Sequence, residues 1–228
     1  MSNDNQHILG NFQSALDDLN ALMFRMASLA QANLDAAAHG LMNRDSSACA
    51  SVIADDEEID RLEKKIDEEG LKIITLYQPV ASDLRLVASI MKVSPNLERI
   101  GDQSVGIAKR ARKMNNNEEL AETRLIEPLY QMAANLLQQS LEAFKAGNVD
   151  LAIEVKQQDQ KLNEAQKELA KKLTKRMEND SARIKDYLDL QFIARFLERI
   201  GDHAKNICED AIFAESAVDI RHGGALPE

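Results

Sequence analysis

A hexapeptide written twice constrains this chain more than any other feature. Leu97-Glu98-Arg99-Ile100-Gly101-Asp102 recurs unchanged as Leu197-Glu198-Arg199-Ile200-Gly201-Asp202, one hundred residues on. The register extends beyond the hexapeptide. Ile90, Val93, Leu97, Ile100, Ser104, Ile107 and Ala111 match Leu190, Ile193, Leu197, Ile200, Ala204, Ile207 and Ala211. Both rows advance by steps of three and four, the period of a buried helix face. A second register, offset by 103, pairs Val52, Asp56, Ile59 and Leu62 with Val155, Asp159, Leu162 and Ala165. The same offset sets Met26, Leu29 and Leu41 on Leu129, Met132 and Phe144. The second copy is therefore three residues shorter before its last helix. Two consistent registers over three helices read as a duplication.

Prolines and glycines are few and fall mainly at boundaries, with long helical periods between them. Ile8, Phe12, Ala15, Leu19, Leu22, Met26 and Leu29 mark the seam of a first helix over 8–42. Asn43 to Ser47 supply cap oxygens for a second, which runs to Tyr77 and stops at Gln78-Pro79. A third starts near Ser82 and ends before Asn115, with Pro95 expected to kink it or break its hydrogen bonding. Pro128 suits the first turn of a fourth, which ends at Gly147-Asn148. A fifth spans 149–177 and a sixth ends near Ala214. No alternating segment supports a strand. The expected fold is all-α, a tandem duplication of a three-helix bundle: six long antiparallel helices related by a pseudo-twofold. Its parts are a first bundle over 8–114, a linker over 115–127, a second bundle over 128–214 and a flexible tail over 215–228.

Composition narrows the function. Hydrophobic residues at 44% and charged residues at 29% of 228 describe a globular chain. No stretch approaches the ~18 consecutive apolar residues of a membrane span. The N-terminus lacks the cationic start and apolar core of a secretory signal, so a cytoplasmic location is expected. A net charge of −10 opposes nucleic acid and anionic lipid. The basic stretches at 109–113 and 171–176 are short and read as solvated helix ends. Cys49 and Cys208 lack any C-x-x-C spacing and read as buried small hydrophobes. With no Trp, an aromatic platform for single strands is also disfavoured.

The remaining chemistry lies in acidic pairs. Glu98/Asp102 and Glu198/Asp202 are four apart, which stacks two carboxylates on one side of a helix and makes them repel. Asp56 and Asp60 form another pair, and Asp56 stands on the apolar seam between Val52 and Ile59. Their second-copy equivalents are Asp159 and Asn163. If the second and third helices of each copy are antiparallel neighbours, four oxygen-rich side chains gather in each bundle. Such a cluster suits a hard cation, or iron or manganese as carboxylate bundles hold them. The candidate ligands are Asp56, Asp60, Glu98, Asp102, Asp159, Glu198 and Asp202, for a divalent or iron-type ion (Fe, Mn, Zn or Mg). The competing reading is a solvated acidic face, with Arg99 and Arg199 in surface pairs worth ~0–1 kcal/mol. The Glu-x-x-His pattern of di-iron bundles is missing. His203 points about 100° away from Asp202 and reads as an ordinary polar residue. His7, His39 and His222 carry no signal. Gly101 and Gly201 imply close helix approach, since mid-helix glycine costs about 1 kcal/mol. No phosphate loop, nucleophile elbow or catalytic triad is present, and no enzyme is expected.

Gln78-Pro79-Val80-Ala81-Ser82-Asp83-Leu84-Arg85, the two Leu-Glu-Arg-Ile-Gly-Asp blocks and His203-Ala204-Lys205-Asn206-Ile207-Cys208-Glu209 carry a resemblance to the PhoU family of phosphate-specific transport regulators. It spans the chain from about Ile8 to the Arg-His-Gly-Gly near the end. The resemblance implies two three-helix bundles, again the expected fold. It implies a negative regulator of the phosphate-starvation response, and an adaptor between the ATPase subunit of the phosphate ABC transporter and its sensor histidine kinase. It implies a homodimer that reaches the membrane only through partners. It also implies multinuclear metal at E/D-x-x-x-D motifs, here Glu98/Asp102 and Glu198/Asp202 with Asp56/Asp60 and Asp159 opposite; Asn163 departs from the pattern. Nothing in the residues points to a direct phosphate sensor. The alternative from another class is a metal-storage protein or metal-dependent enzyme on a helical bundle.

Overall fold

The computed structural model describes residues 2–221, with side chains from Gly10 onward. His7, Ile8 and His222 to Glu228, named above, lie outside that description of side chains or backbone. Among the described residues there are six long helices and no strand: α1 (Ser2–Met42), α2 (Ser46–Tyr77), α3 (Ala81–Met114), α4 (Glu127–Ala146), α5 (Val149–Asn179) and α6 (Ile184–Ser216). None is long and apolar enough to cross a membrane.

The boundaries have local causes. Asp45 caps α2 by accepting from Ser47 N at 2.9 Å and Ala48 N at 3.1 Å. Asn148 caps α5 by accepting from Leu151 N at 3.0 Å. Gly147 ends α4 at φ +60°, where L side chains are strained. α3 runs unbroken through Pro95. That proline is exposed, and Asn96 Nδ2 donates to Lys92 O at 3.0 Å in the turn where the ring removes a backbone donor.

α3 and α6 share the longest seam, and their seven-residue rows are all buried. They run antiparallel. Arg85 Nε donates to Ala214 O at 3.1 Å near one end, Asn96 meets Asn206 at 3.1 Å near the middle, and Arg110 meets Asp189 at 2.6 Å near the other. The pairing is symmetric about residues 100 and 200. Asn96 faces Asn206, and its equivalent Phe196 lies against Gly106, 2.9 Å from where a Cβ would stand. α2 packs on α1 and α3, and α5 on α4 and α6.

Three expectations need correction. The buried face of α1 centres on Leu16, Leu19, Met23, Met26, Ala30, Leu34 and Ala37, whereas Phe12, Ala15, Leu22 and Leu29 are half-buried. The cause is that α1 packs against α2, α3 and α4 together, which widens its apolar face. The 115–127 segment joins the two halves as an ordered connection where an irregular one was expected. A 3-10 helix occupies Ala121–Ile126, and Arg44 donates to the carbonyls of Asn115 (2.8 Å) and Asn117. Asn117 Nδ2 and Arg183 Nε close on the buried Asp186 at 2.7 and 2.6 Å. The tail is anchored where it is described: α6 extends to Ser216, and Ile220 is 1% exposed.

Candidate metal and adaptor site

The two glycines of the repeated hexapeptide explain how the acidic side chains meet. A Cβ on Gly101 would stand 2.8 Å from Ile59 and 3.9 Å from Asp56 Oδ1. A Cβ on Gly201 would collide with Leu162 and stand 3.2 Å from Asp159 Oδ1. Each glycine therefore lets α2 or α5 sit on the acidic turn of α3 or α6, the close approach read from the sequence. Asp56 faces Glu98-x-x-x-Asp102, and Asp159 faces Glu198-x-x-x-Asp202.

The first cluster is crowded with charge. Burial, then the charges of Asp102 and Asp60, raise the Asp56 carboxyl above its ordinary value. Burial also pushes Glu98 up to about 7, with Asp102 adding to the rise, Arg99 opposing it, and Glu63 and Asp60 contributing less. Arg99 bridges the pair, 3.0 Å from Asp102 and 3.3 Å from Glu98, but its side chain is 59% exposed. Glu63 belongs to this cluster and escaped the sequence reading. Its signal was present: 56, 60 and 63 form one stripe of α2, spaced four and three.

In the second cluster burial raises Asp159 most, then Asp202. Glu198 is raised by burial and Asp202. His203 turns away, as expected, its Nδ1 3.0 Å from Asn96 Oδ1, and burial lowers its pKa. Cys49 and Cys208 are buried free thiols, and burial pushes Cys208 up to about 12. Among the described residues no group of three or more His, Cys, Asp or Glu is arranged as a ready-made metal cage. The first cluster offers oxygen donors alone, the donor type a hard cation takes, with Arg99 across two of them.

The raised Glu98 has a pH consequence. Between its ordinary 4.5 and about 7, folded protein holds a proton that unfolded chain has released. Stability from this group therefore falls as pH rises through that window. Solvent screening reduces the effect to roughly 1 kcal/mol, or about 2–4 °C in melting temperature. In EDTA, raising the pH from 4.5 to 7.5 should lower the melting point by that amount. Asp210, pushed up to about 6 by burial, acts in the same direction. The discriminating measurement is therefore the Glu98→Gln variant, which should show a shallower slope. An unchanged slope would clear Glu98 of the effect.

The model of the PhoU domain matches this chain twice, over 23–111 and 126–211. The chain belongs to the PhoU family. It is 34% identical over 219 residues to the phosphate-specific transport system accessory protein PhoU homolog of Pseudomonas aeruginosa, covering 96% of this chain and 90% of that one. It is 33% identical over 222 residues to the phosphate-specific transport system accessory protein PhoU of Escherichia coli (strain K12), covering 97% and 92%. The crystal structure of PhoU from Pseudomonas aeruginosa superposes with a TM-score of 0.87 at 33% identity, over 90% of this chain and 99% of that one. The phosphate transport system regulatory protein PhoU from Streptococcus pneumoniae gives 0.84 at 26% identity, over 95% and 99%. The all-α tandem architecture is thus that of solved PhoU structures. These relatives are accessory and regulatory proteins by name.

Proposed function

We propose that this chain is a negative regulator of the phosphate-starvation response. It acts in the cytoplasm as a homodimeric adaptor between the ATPase subunit of the phosphate transporter and the sensor histidine kinase, and modulates uptake through that contact. The observation that carries this reading is the near full-length match of both repeats to PhoU accessory proteins. A fold clamped along the α3/α6 seam and through Asp186 suits an adaptor.

We further propose that Asp56, Asp60, Glu98 and Asp102, with Glu63 beside them, hold a divalent or iron-type cation. The ion would neutralise the cluster and stiffen the α2/α3 pair. The chain's own residues bind and orient; no bond-making step is assigned to them.

The adaptor reading is tested by affinity purification from phosphate-replete cells at native expression, with mass spectrometry of the co-purifying proteins. Transporter ATPase or sensor kinase is expected above a mock control. Recovering neither after crosslinking would overturn the adaptor role and move metal-dependent chemistry forward.

A further inference from the structure

The duplication makes the two acidic clusters a controlled comparison. Residues 98, 102 and 105 form one stripe of α3, and 198, 202 and 205 form the same stripe of α6. The first two positions agree, Glu then Asp. The third does not. Val105 is buried, whereas Lys205 places its Nζ 3.8 Å from Asp159 Oδ2. The facing helix changes in concert. Asp60 becomes Asn163, whose Nδ2 donates to the same Asp159 Oδ2 at 3.2 Å, and Glu63 becomes Gln166.

The first cluster therefore holds five carboxylates, paired with the exposed Arg99, while Lys109 and Lys64 act on Asp56 and Glu63 from outside pairing distance. The second holds three carboxylates, two amides and the Lys205 ammonium, with Arg195 and Arg199 acting on Glu198 as Arg99 acts on Glu98. An ammonium has no lone pair to give a metal, and an ion entering beside Asp159 must share that carboxylate with a like charge. With the Lys205 ammonium 3.8 Å from Asp159 Oδ2, the second donor set is the poorer of the two for a cation.

We propose that Lys205 is the resident cation of the second repeat, so that the metal taken by the first cluster has no counterpart in the second. The metal half of this statement rests on the reading of the first cluster given above. The lysine half stands on the Lys205–Asp159 contact. Asp159 Oδ1, in the notch over Gly201, and Asn163 Oδ1 are both buried without a hydrogen-bond partner, and they are the atoms a metal would claim if the proposal were wrong.

The test uses the full chain, Mn²⁺ as probe, and metal analysis after equilibrium dialysis. Asp56→Asn with Asp102→Asn should abolish stoichiometric Mn²⁺, and Asp159→Asn with Asp202→Asn should leave it. Val105→Lys should weaken Mn²⁺ binding at least tenfold by giving the first cluster the same internal cation. Retention of Mn²⁺ in the first double variant, with loss in the second, would overturn the proposal. A metal-independent readout runs beside it in EDTA. Lys205→Met should lower the melting temperature by about 2–4 °C, as expected for a partly exposed pair in a chain this long. Combining it with Asp159→Asn should cost less than the sum of the two. If wild-type protein binds no Mn²⁺, the metal reading of the first cluster falls. The thermal cycle then decides Lys205 alone: coupling retains it, and additivity overturns it.

Discussion

Replacing Asp189 with alanine should lower the melting temperature by about 4–16 °C. The carboxylate is 2% exposed and accepts from Arg110 Nη1 at 2.6 Å and Lys113 Nζ at 2.7 Å. The Arg110 guanidinium lies over Phe192, 3.8 Å from the ring centroid, with Phe196 at 5.7 Å. Removing the acceptor leaves two converging cations, one pinned against aromatic rings at the junction of the repeats. Breaking a fully buried pair costs ~3–5 kcal/mol. Arg110 is 29% exposed and Lys113 59%, so both regain some water, and about 2–4 kcal/mol is the appropriate range. For a chain of this length each kcal/mol moves the transition by about 2–4 °C. Lys113→Ala is the control, and its exposed ammonium should cost no more than ~1 kcal/mol. An unchanged transition in Asp189→Ala would mean that this clamp adds nothing to the stability of the α3/α6 seam. The pseudo-symmetric crevice carries Ser89 and Asp210 in place of Asp189 and Arg110, so this clamp exists on one side of the axis.

The second large effect changes sign with metal. Glu98→Gln combined with Asp102→Asn removes two mutually repelling carboxylates, one of them half-buried and pushed up to about 7. In EDTA the variant should melt several degrees above the parent chain, each relieved kcal/mol giving about 2–4 °C. With saturating metal the order should reverse. A ligand at a hundred times its dissociation constant stabilises the parent by about 2.7 kcal/mol, and the variant, lacking two of its ligands, gains little. Calorimetry with and without metal reads both orders. A variant less stable than the parent in EDTA would show that the carboxylates are adequately solvated in the apo state, and would favour the plain acidic face over the metal site.

Much of the fold was legible because helical burial is periodic and local. The rows from Ile90 to Ala111 and from Leu190 to Ala211 are buried throughout, since each packs on one broad interface. The α1 seam was displaced because three helices contact it, a number no single-helix period encodes. Ile220 was read as part of a tail because one isoleucine among Asp219, Arg221 and His222 shows no periodicity at all.

The candidate site divides along the same line. Asp56 stood out through its place on an apolar seam, and Gly101 and Gly201 through their cost within a helix. Glu63 and Lys205 did not stand out, although both lie on the correct stripes, because a charge on a helix stripe has no meaning until its neighbour is known. Lys205 meets Asp159 on another helix, and Arg110 meets Asp189 across the two repeats. By itself the sequence determined the duplication, the six helices and the buried rows of α3 and α6, all set by interactions within a few turns. Only the tertiary structure decided which charges face each other. Pairing depends on the stagger and rotation of one helix against the next, and a shift of one residue, about 100° of turn, sends a carboxylate from its partner into water.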